Sequence, residues 1–479
     1  MSININKTEK YNIQNKSYLT ELYTKYKNIN FNSFTQQALI QQIIDLPKNK
    51  HVRYRTNLLI INFNYDIKKN NITFNMINKN DIPQDSRIAI INEFFTMFCK
   101  WCINKKNNLN LHNILNSNSN SNSDSNSNSN SNPNNDTTNN IIETCILIYL
   151  SDRIIWHIKD VDKTIPLCVY AQPNNFNYIL IPDNTFHINS DDKRYGKHGL
   201  IWESQKKLFT NTNAELELKE LTLDNNLDID LDNNLDNDLD IDLDIDLDND
   251  LDIDLDSNTN IIKQNAIFFK GVDTTDKNHN LRYYIKHRLK TDTDNEFKNA
   301  MIYEWLTPSN YESVKCFTKY KFLLNLPGRY PWSTRLKYLY LSKSFIINVR
   351  VKTLGDGDED YFKSFVDLIV PDKLCINIDM NYYYDATCNE NNKTKEEINK
   401  TIEYNEKNKI EIRQVYDKIK EIFHTYKNLS PYDDKNVIKA YNLINNFKTN
   451  DMYEYYYNIM LMNYKIGLKP FIYTKPYTT

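Results

Sequence analysis

One stretch of the chain, residues 319–349, constrains the fold most, because strand and helix patterns alternate in it around a glycine turn. It reads KYKFLLNLPGRYPWSTRLKYLYLSKSFIINV. The apolar run Phe322–Leu326 has the length of a buried strand, and Pro327 and Gly328 break it. A second buried strand is predicted over Phe345–Val349. Two such strands joined by a short helix are typical of a layered α/β fold.

The residues between these two strands favour binding of an anion. Ser333 and Thr334 are suited to cap the predicted helix, whose apolar residues then follow at helical spacing. A strand, a loop and a helix in this order direct backbone N–H groups, the helix dipole and here Arg335 towards one point. The pattern therefore predicts a phosphate site, and it is the first indication of nucleotide chemistry.

A second unit of the same kind surrounds Gly271. The chain has only 7 glycines in 479 residues, so each is expected where the backbone needs a positive φ or a close approach. Gly271 follows the apolar run at residues 266–270 and precedes Thr274 and Thr275, with Arg282 on a predicted helix. This order again places a cation and hydroxyl groups beside the end of a strand.

Several familiar sites are excluded or disfavoured by their motifs. The chain has no GxGxxG and no GxxxxGK[ST] pattern, which disfavours a dinucleotide-binding fold and excludes, at the level of motifs, a P-loop nucleoside triphosphatase. The 8 histidines form no HxH or HxxxH pair, so we predict no metal site. Cys99 and Cys102 form one CxxC in an apolar helical stretch, where core packing is the favoured interpretation over a metal or redox role.

Charge is concentrated in one low-complexity segment. Residues 223–256 repeat Leu-Asp and Ile-Asp and contain 15 Asp but no Lys or Arg, so removing them changes the formal net charge from −3 to +12. The remainder is therefore basic, which suits an anionic ligand, although an ordinary lysine-rich surface explains it equally well. We predict that this repeat and the Ser/Asn repeat at residues 116–140 are disordered insertions.

The location follows from three absences in the sequence. The N-terminus lacks an apolar leader, no run of 18 apolar residues occurs, and the 7 scattered cysteines suit a reducing compartment. We therefore expect a cytoplasmic protein without a membrane span, for example a viral protein in a host cytoplasm.

The order of predicted elements indicates α/β domains. Strands are predicted at residues 58–61, 72–74, 145–150, 166–170, 178–182 and 266–270, and a helix at 87–106. The predicted organisation has an N-terminal α/β region of unclear role (1–115), an insertion (116–140), a first lobe (141–222), the acidic repeat (223–256), a second lobe (257–390) and a helical tail (391–479).

The two glycine units, in this order, resemble glycosyltransferase family 90, which includes capsule-associated, lipopolysaccharide-modifying and protein O-glucosyl transferases. The aromatic–Arg–Gly–Ser–x–Thr motif of the family is similar to Phe269–Thr274, with Lys270 in place of the arginine. The Ser-x-Arg motif before a helix is similar to residues 333–335. ILIPDNTF at residues 179–186 and the later Trp202 are similar to an upstream segment of the family.

The resemblance implies an inverting transferase with two Rossmann-like lobes of the GT-B type. It implies Asp152, at a strand end, as the catalytic base, with Asp183 and Asp192 as competing candidates. It implies a UDP-sugar donor, no required cofactor or metal, and a protein or glycan acceptor. The residues implied to bind the nucleotide sugar are Lys270, Gly271, Thr274, Thr275, Arg282, Gly328, Ser333, Thr334, Arg335 and Glu359.

Two other interpretations remain open. The basic charge and 34 tyrosines would also suit nucleic-acid binding through phosphate contacts and stacking, although many of these tyrosines lie at core spacings. A degenerate transferase that binds its donor without reacting is the other alternative. For Arg282, a solvated charge on the surface of a helix is the alternative to nucleotide binding.

Overall fold

The structure is a computed structural model. It describes residues 18–24, 26–27, 58–77, 85–105, 141–150, 166–173, 178–183, 186, 202–210, 262–271, 281–305, 314–327, 334–354, 361–383 and 395–471. Both predicted low-complexity insertions lie outside these residues. The described part is a mixed α/β structure with parallel strands and helices, in agreement with the predicted fold class.

The first sheet contains strands from the N-terminal part of the chain. The elements in this part of the chain are β1 Leu58–Asp66, β2 Asn71–Ile77, α1 Asp85–Lys105, β3 Ile141–Tyr149, β4 Leu167–Val169, β5 Ala171–Pro173, β6 Ile179–Leu180 and α2 Trp202–Thr210. The spatial order of the strands in the sheet is β2–β1–β3–β4–β6, in which β1 pairs antiparallel with β2 and β3, while β3, β4 and β6 are parallel. The helix α1 packs beside this sheet.

The second sheet is parallel throughout. Its strands are β7 Gln264–Gly271, β8 Met301–Trp305, β9 Tyr320–Asn325, β10 Phe345–Leu354 and β12 Ile376–Tyr383, in the spatial order β12–β10–β9–β7–β8. Counted along the chain this is the order 2-1-3-4-5, one of the two common orders of doubly wound sheets. Its three central strands contain buried apolar runs, at residues 266–269 of β7, 322–324 of β9 and 345–347 of β10, because both faces of the sheet are covered there.

Helices cover both faces of the second sheet. These helices are α3 Leu281–Thr291, α4 Asn295–Ala300, α5 Leu336–Leu341, α6 Phe365–Ile369 and α7 Lys395–Tyr426. Ile267 and Phe269 pack on one face with α3, α4 and α7, and Phe268 packs on the opposite face with α5 and α6. The alternation follows from the two-residue repeat of a strand.

The C-terminal helices connect the two sheets. The long helix α7 packs along β12, whereas α9 (Thr449–Lys465) packs against β3 of the first sheet, with α8 (Lys435–Asn445) between them in the chain. The short strand β5 also pairs with β11 (Phe362–Ser364), which precedes α6. One apolar core, formed with these C-terminal helices, therefore includes residues of both sheets.

Most of the predicted elements are confirmed, with small shifts at their ends. The helix predicted at residues 87–106 spans 85–105, the described part of the helical tail forms three helices, and Cys99 and Cys102 are buried thiols in the core. The capping prediction for Thr334 is wrong: the N-cap position of α5 is Arg335, and no side chain caps it. Ser333 lies outside the described residues.

A buried carboxylate that follows α3 forms hydrogen bonds with the long helix α7 of the tail. Asp292 is almost fully buried, and its carboxylate accepts hydrogen bonds from the Tyr416 hydroxyl at 2.7 Å and from Lys420 Nζ at 2.8 Å. Burial alone would raise the pKa of Asp292, but these two donors and the backbone N–H of Asp294 outweigh it and hold that pKa well below its usual value.

Because the pKa is depressed in the folded state, this stabilisation is present above the ordinary pKa of about 4 and is lost in acid. We expect Asp292→Asn to lower the free energy of unfolding by about 2 kcal/mol at pH 7. The difference from wild type should shrink by up to about 1.4 kcal/mol per pH unit below pH 4. Urea unfolding at pH 7 and pH 3 measures both, and a difference that does not change with pH would contradict this assignment.

Candidate functional site

The candidate site lies where the strand order of the second sheet reverses. The chain winds from β7 outwards to β8, and then returns to β9 on the other side of β7. Crossovers therefore leave in opposite directions from the carboxyl ends of β7 and β9, and in doubly wound sheets such a point is where a crevice forms and ligands bind. Gly271 and Asn325 are the last residues of these two strands.

Arg335 joins the ends of the two strands. Its Nη1 donates to the carbonyl oxygen of Lys270 at 2.8 Å, and its Nη2 donates to that of Leu326 at 3.2 Å. Its guanidinium carbon lies 4.9 Å from the centre of the Phe269 ring, within the range of a cation–π contact. Since α5 has only six residues, this side chain, more than a helix terminus, brings positive charge to the predicted phosphate site.

Arg282, from α3, reaches the same place from the other side. Its Nε donates to the carbonyl oxygen of Pro327 at 2.9 Å and its Nη2 to that of Leu326 at 3.2 Å. The guanidinium also lies over Phe269, at 5.4 Å. Arg282 is buried, so the alternative of a solvated surface charge is wrong. Two guanidinium groups thus share one carbonyl oxygen and one aromatic ring.

Lys270 and Gly271 are the last two residues of β7, at the strand end that Arg335 contacts. Lys270 is buried, and its Nζ lies 3.3 Å from a carboxylate oxygen of Glu304 at the same level on β8. A Cβ atom added to Gly271 would lie 2.6 Å from the Phe269 ring and 3.2 Å from Nη1 of Arg335. Glycine is therefore needed at this position for the close approach of side chains, and no positive φ is involved.

Asp183, a competing candidate for the catalytic base, forms a buried ion pair. It follows β6, and both of its carboxylate oxygens accept hydrogen bonds from Lys337 Nζ at 3.1 Å. Lys337 is fully buried on α5, donates also to the Thr334 carbonyl oxygen, and lies 4.2 Å from the centre of the Phe186 ring. Burial lowers the pKa of Lys337, and the Asp183 charge opposes this effect.

This ion pair relates the two sheets to each other. The carboxylate follows the end of β6, while the ammonium group lies two residues after Arg335, which contacts the ends of β7 and β9. Strands β3, β4 and β6 are parallel, so they end at one edge of the first sheet. The carboxyl edges of both sheets therefore meet at the start of α5.

The remaining predicted residues divide into two groups. Thr334 is half-buried beside this ion pair, where its carbonyl accepts from Lys337. Asp152, the predicted base, lies outside the described residues; the described part of β3 and its end stops at Leu150, at the edge where Asp183 is found. Also outside the described residues are Asp192, Thr274, Thr275, Gly328, Ser333 and Glu359.

Sequence reasoning missed several residues that the fold brings to this region. Lys337 lies within a pattern that predicts only a helix, and no local pattern indicates Glu304. Asn325 and Asn348 interrupt otherwise apolar strands, and both are buried. A polar amide inside a buried strand is the signal that would have identified them, because such a group needs a hydrogen-bond partner.

Within the described ranges, no three His, Cys, Asp or Glu side chains are grouped so that they could hold a metal ion. Among the described helices, none is long and apolar enough to cross a membrane. No protein-family model matches the chain, and no curated protein matches it in sequence.

Proposed function

We propose that this protein is an inverting glycosyltransferase that moves a sugar from a UDP-linked donor to a hydroxyl group of a protein or glycan. In this proposal the two sheets form two Rossmann-like lobes, and the donor binds at the carboxyl edge of the second. The observation that carries the proposal is the convergence of Lys270, Arg282 and Arg335 on the switch point of a parallel sheet. A diphosphate is the part of such a donor that this charge suits.

The reaction needs a base on the acceptor and a cation on the leaving group. The base removes the proton of the acceptor hydroxyl, the oxygen attacks the anomeric carbon in line, and the carbon–oxygen bond to the diphosphate breaks. UDP leaves with the electron pair of that bond. Positive charge from Lys270 and Arg335 would stabilise the negative charge that develops on the diphosphate. Because these side chains are already held in place, they would not have to move during the reaction.

Asp152 is the proposed base. Asp183 is already engaged with a fully buried lysine, which supports a structural role for that carboxylate. In the sequence Asp152 comes two residues after Leu150, and the described end of β3 at Leu150 lies at the edge of the first sheet that meets the start of α5. A carboxylate in this position would have the acceptor between itself and a donor bound to the second sheet.

Thermal unfolding with a ligand panel tests the donor class. We expect UDP and UDP-sugars to raise the melting temperature, and GDP, ATP and NAD to leave it unchanged. A ligand at a hundred times its Kd stabilises the folded state by about 2.7 kcal/mol, which corresponds to a shift of several degrees. The proposal fails if no uridine nucleotide shifts the transition.

Turnover is tested separately from binding. We expect Asp152→Asn to keep the UDP-dependent shift and to lose UDP release from UDP-sugars in the presence of acceptor by at least about a hundredfold. Asp183→Asn is the matched comparison, since it should lower stability and keep most of the turnover per folded molecule. Binding by the wild type without any turnover would instead support a degenerate transferase.

Nucleic-acid binding is less well supported by the structure. Of the tyrosines in the described residues, only Tyr283 is exposed, and the others are buried or half-buried. Stacking on successive bases requires accessible aromatic faces. Salt-sensitive RNA binding without UDP binding would nevertheless reverse this preference.

A further inference from the structure

A row of polar side chains crosses the second sheet at the level of the candidate site. Glu304 is directly opposite Lys270, and Asn348 is directly opposite both Asn325 and Asn377 in the register of the strands. Phe268 pairs with Leu323, so Lys270 and Asn325 are each two residues further along neighbouring strands. Residues two apart point to the same face. The row therefore follows the order Glu304, Lys270, Asn325, Asn348 and Asn377 on the face that packs with α5.

The three asparagines form a chain of hydrogen bonds with one direction. Asn325 Nδ2 donates to Asn348 Oδ1 at 2.8 Å, and Asn348 Nδ2 donates to Asn377 Oδ1 at 3.0 Å. Asn377 Nδ2 then donates to the backbone carbonyl oxygen of Asp372 at 2.7 Å. A carbonyl oxygen can only accept, so it sets the orientation of the Asn377 amide and, through it, of the other two.

With this direction of donation, the side-chain oxygen of the first asparagine has no donor within the row. Asn325 Oδ1 is buried and accepts no hydrogen bond from the described residues, and the whole residue is only 5% exposed. A buried polar atom without a partner is costly, so a water or a ligand group is expected there. Because the amide direction is set from the Asp372 end, the missing partner must be a donor.

The position of Asn325 specifies the ligand group further. Asn325 ends β9 at the switch point, one strand away from Lys270, and neighbouring strands lie about 4.8 Å apart. An ionised phosphate offers only acceptors and would repel Oδ1. A hydroxyl on the sugar next to a diphosphate is both a donor and close enough to the cationic group.

We propose that Asn325 Oδ1 accepts a hydrogen bond from a sugar hydroxyl that flanks the diphosphate of the nucleotide sugar. This inference rests on the proposed donor site. It makes Asn325 a specificity-determining residue: Lys270 and Arg335 select the diphosphate, and Asn325 selects a hydroxylated neighbour. Asn348 and Asn377 are positioning residues that hold the Asn325 amide in one orientation.

Calorimetric titration tests this with wild type and Asn325→Ala against UDP, 2′-deoxy-UDP, 3′-deoxy-UDP and UDP-glucose. We expect Asn325→Ala to raise the Kd of UDP or UDP-glucose about tenfold, the loss expected for one hydrogen bond to a buried acceptor. If Asn325→Ala raises the Kd of UDP itself about tenfold, the hydroxyl belongs to the ribose. In that case wild type should bind one of the two deoxy analogues about tenfold more weakly than UDP, whereas Asn325→Ala should bind that analogue and UDP equally. A loss confined to UDP-glucose identifies the transferred sugar.

Tyr416→Phe is the matched control, because it removes a buried hydrogen bond on the opposite face of the sheet and should keep wild-type affinity. Wild-type affinity of Asn325→Ala for all four ligands would overturn the inference and indicate a buried water. If Asn325→Ala does not fold, the wild-type protein decides alone. The inference would be overturned if UDP bound no more tightly than either deoxy analogue and UDP-glucose bound no more tightly than its analogues deoxygenated on glucose. Absence of any uridine nucleotide binding in wild type would overturn the donor site and this inference together, whereas UDP binding that is lost only in Arg335→Ala would overturn this inference alone.

Discussion

Arg335→Ala is expected to remove most of the stabilisation that UDP confers. The guanidinium is fixed at the ends of β7 and β9 by the carbonyl oxygens of Lys270 and Leu326 and by the Phe269 ring. A charge held in position in this way interacts with a phosphate without further loss of side-chain entropy. Hydrogen bonds to charged groups contribute about 1.5–3 kcal/mol, so the Kd of UDP should rise about 10- to 100-fold.

The ligand-induced shift is the quantity to measure. At a hundred times the wild-type Kd, the stabilisation by UDP should fall from about 2.7 kcal/mol to between about 1.4 and 0.4 kcal/mol. The melting temperature without ligand is a poor measure, because alanine also removes two hydrogen bonds that join strand ends. Arg335→Lys should give an intermediate result, since lysine keeps the charge and loses the planar fork.

Arg350→Ala is the control for a general loss of stability. Arg350 also bonds carboxylates within the second sheet, with Nε 2.7 Å from an oxygen of Asp379 and Nη1 in contact with Asp372. It does not contact the ends of β7 and β9 in the described structure. Arg350→Ala should therefore melt earlier and keep the full UDP shift, and a full shift in Arg335→Ala would remove that residue from the site.

Lys337→Met is expected to give the largest loss of stability among the variants considered. Its Nζ is buried completely between the Asp183 carboxylate, the Thr334 carbonyl oxygen and the Phe186 ring. Methionine deprives a buried carboxylate of the cation that it contacts, and removal of one partner of a buried ion pair costs about 3–5 kcal/mol. Urea unfolding at neutral pH measures this loss.

The single variant at Asp183 and the double variant with Lys337→Met distinguish an ion-pair interaction from simple packing. In Asp183→Asn the lysine loses the charge that opposes its lowered pKa, so folding should favour the neutral amine. The unfolded chain then binds more protons than the folded chain, and stability should rise from pH 7 towards pH 10. The double variant Lys337→Met with Asp183→Asn should lose less stability than the sum of the two single losses, because no unpaired charge is left buried; additive losses would show that the two side chains are not coupled.

Local features of the fold were predictable because short-range patterns determine them. Apolar runs of strand length, the breaks at Pro327 and Gly271 and the helical spacing of the tail depend only on neighbouring residues. The helix cap at Thr334 was the exception. Arg335 occupies the N-cap position with its side chain turned to the strand ends, so a longer-range contact outweighed a local capping preference.

The candidate site itself was predictable only in part. The two glycine units indicated Lys270, Arg282 and Arg335 as separate cations beside strand ends. That both arginines share Leu326 and Phe269 depends on β7 and β9 being neighbours, although β8 lies between them in the chain. No local pattern specifies this order, because the pairing of parallel strands is set by the crossovers and by the packing of helices on both faces.

The sequence by itself determined an α/β chain with two cationic strand ends and a helical tail, since each of these follows from residue types a few positions apart. The tertiary structure alone decided that Lys337 meets Asp183, 154 residues away, and that Asn325, Asn348 and Asn377 align in one row. The physical reason is that the register between strands, and with it every contact across them, is an outcome of burying both faces of the sheet at once.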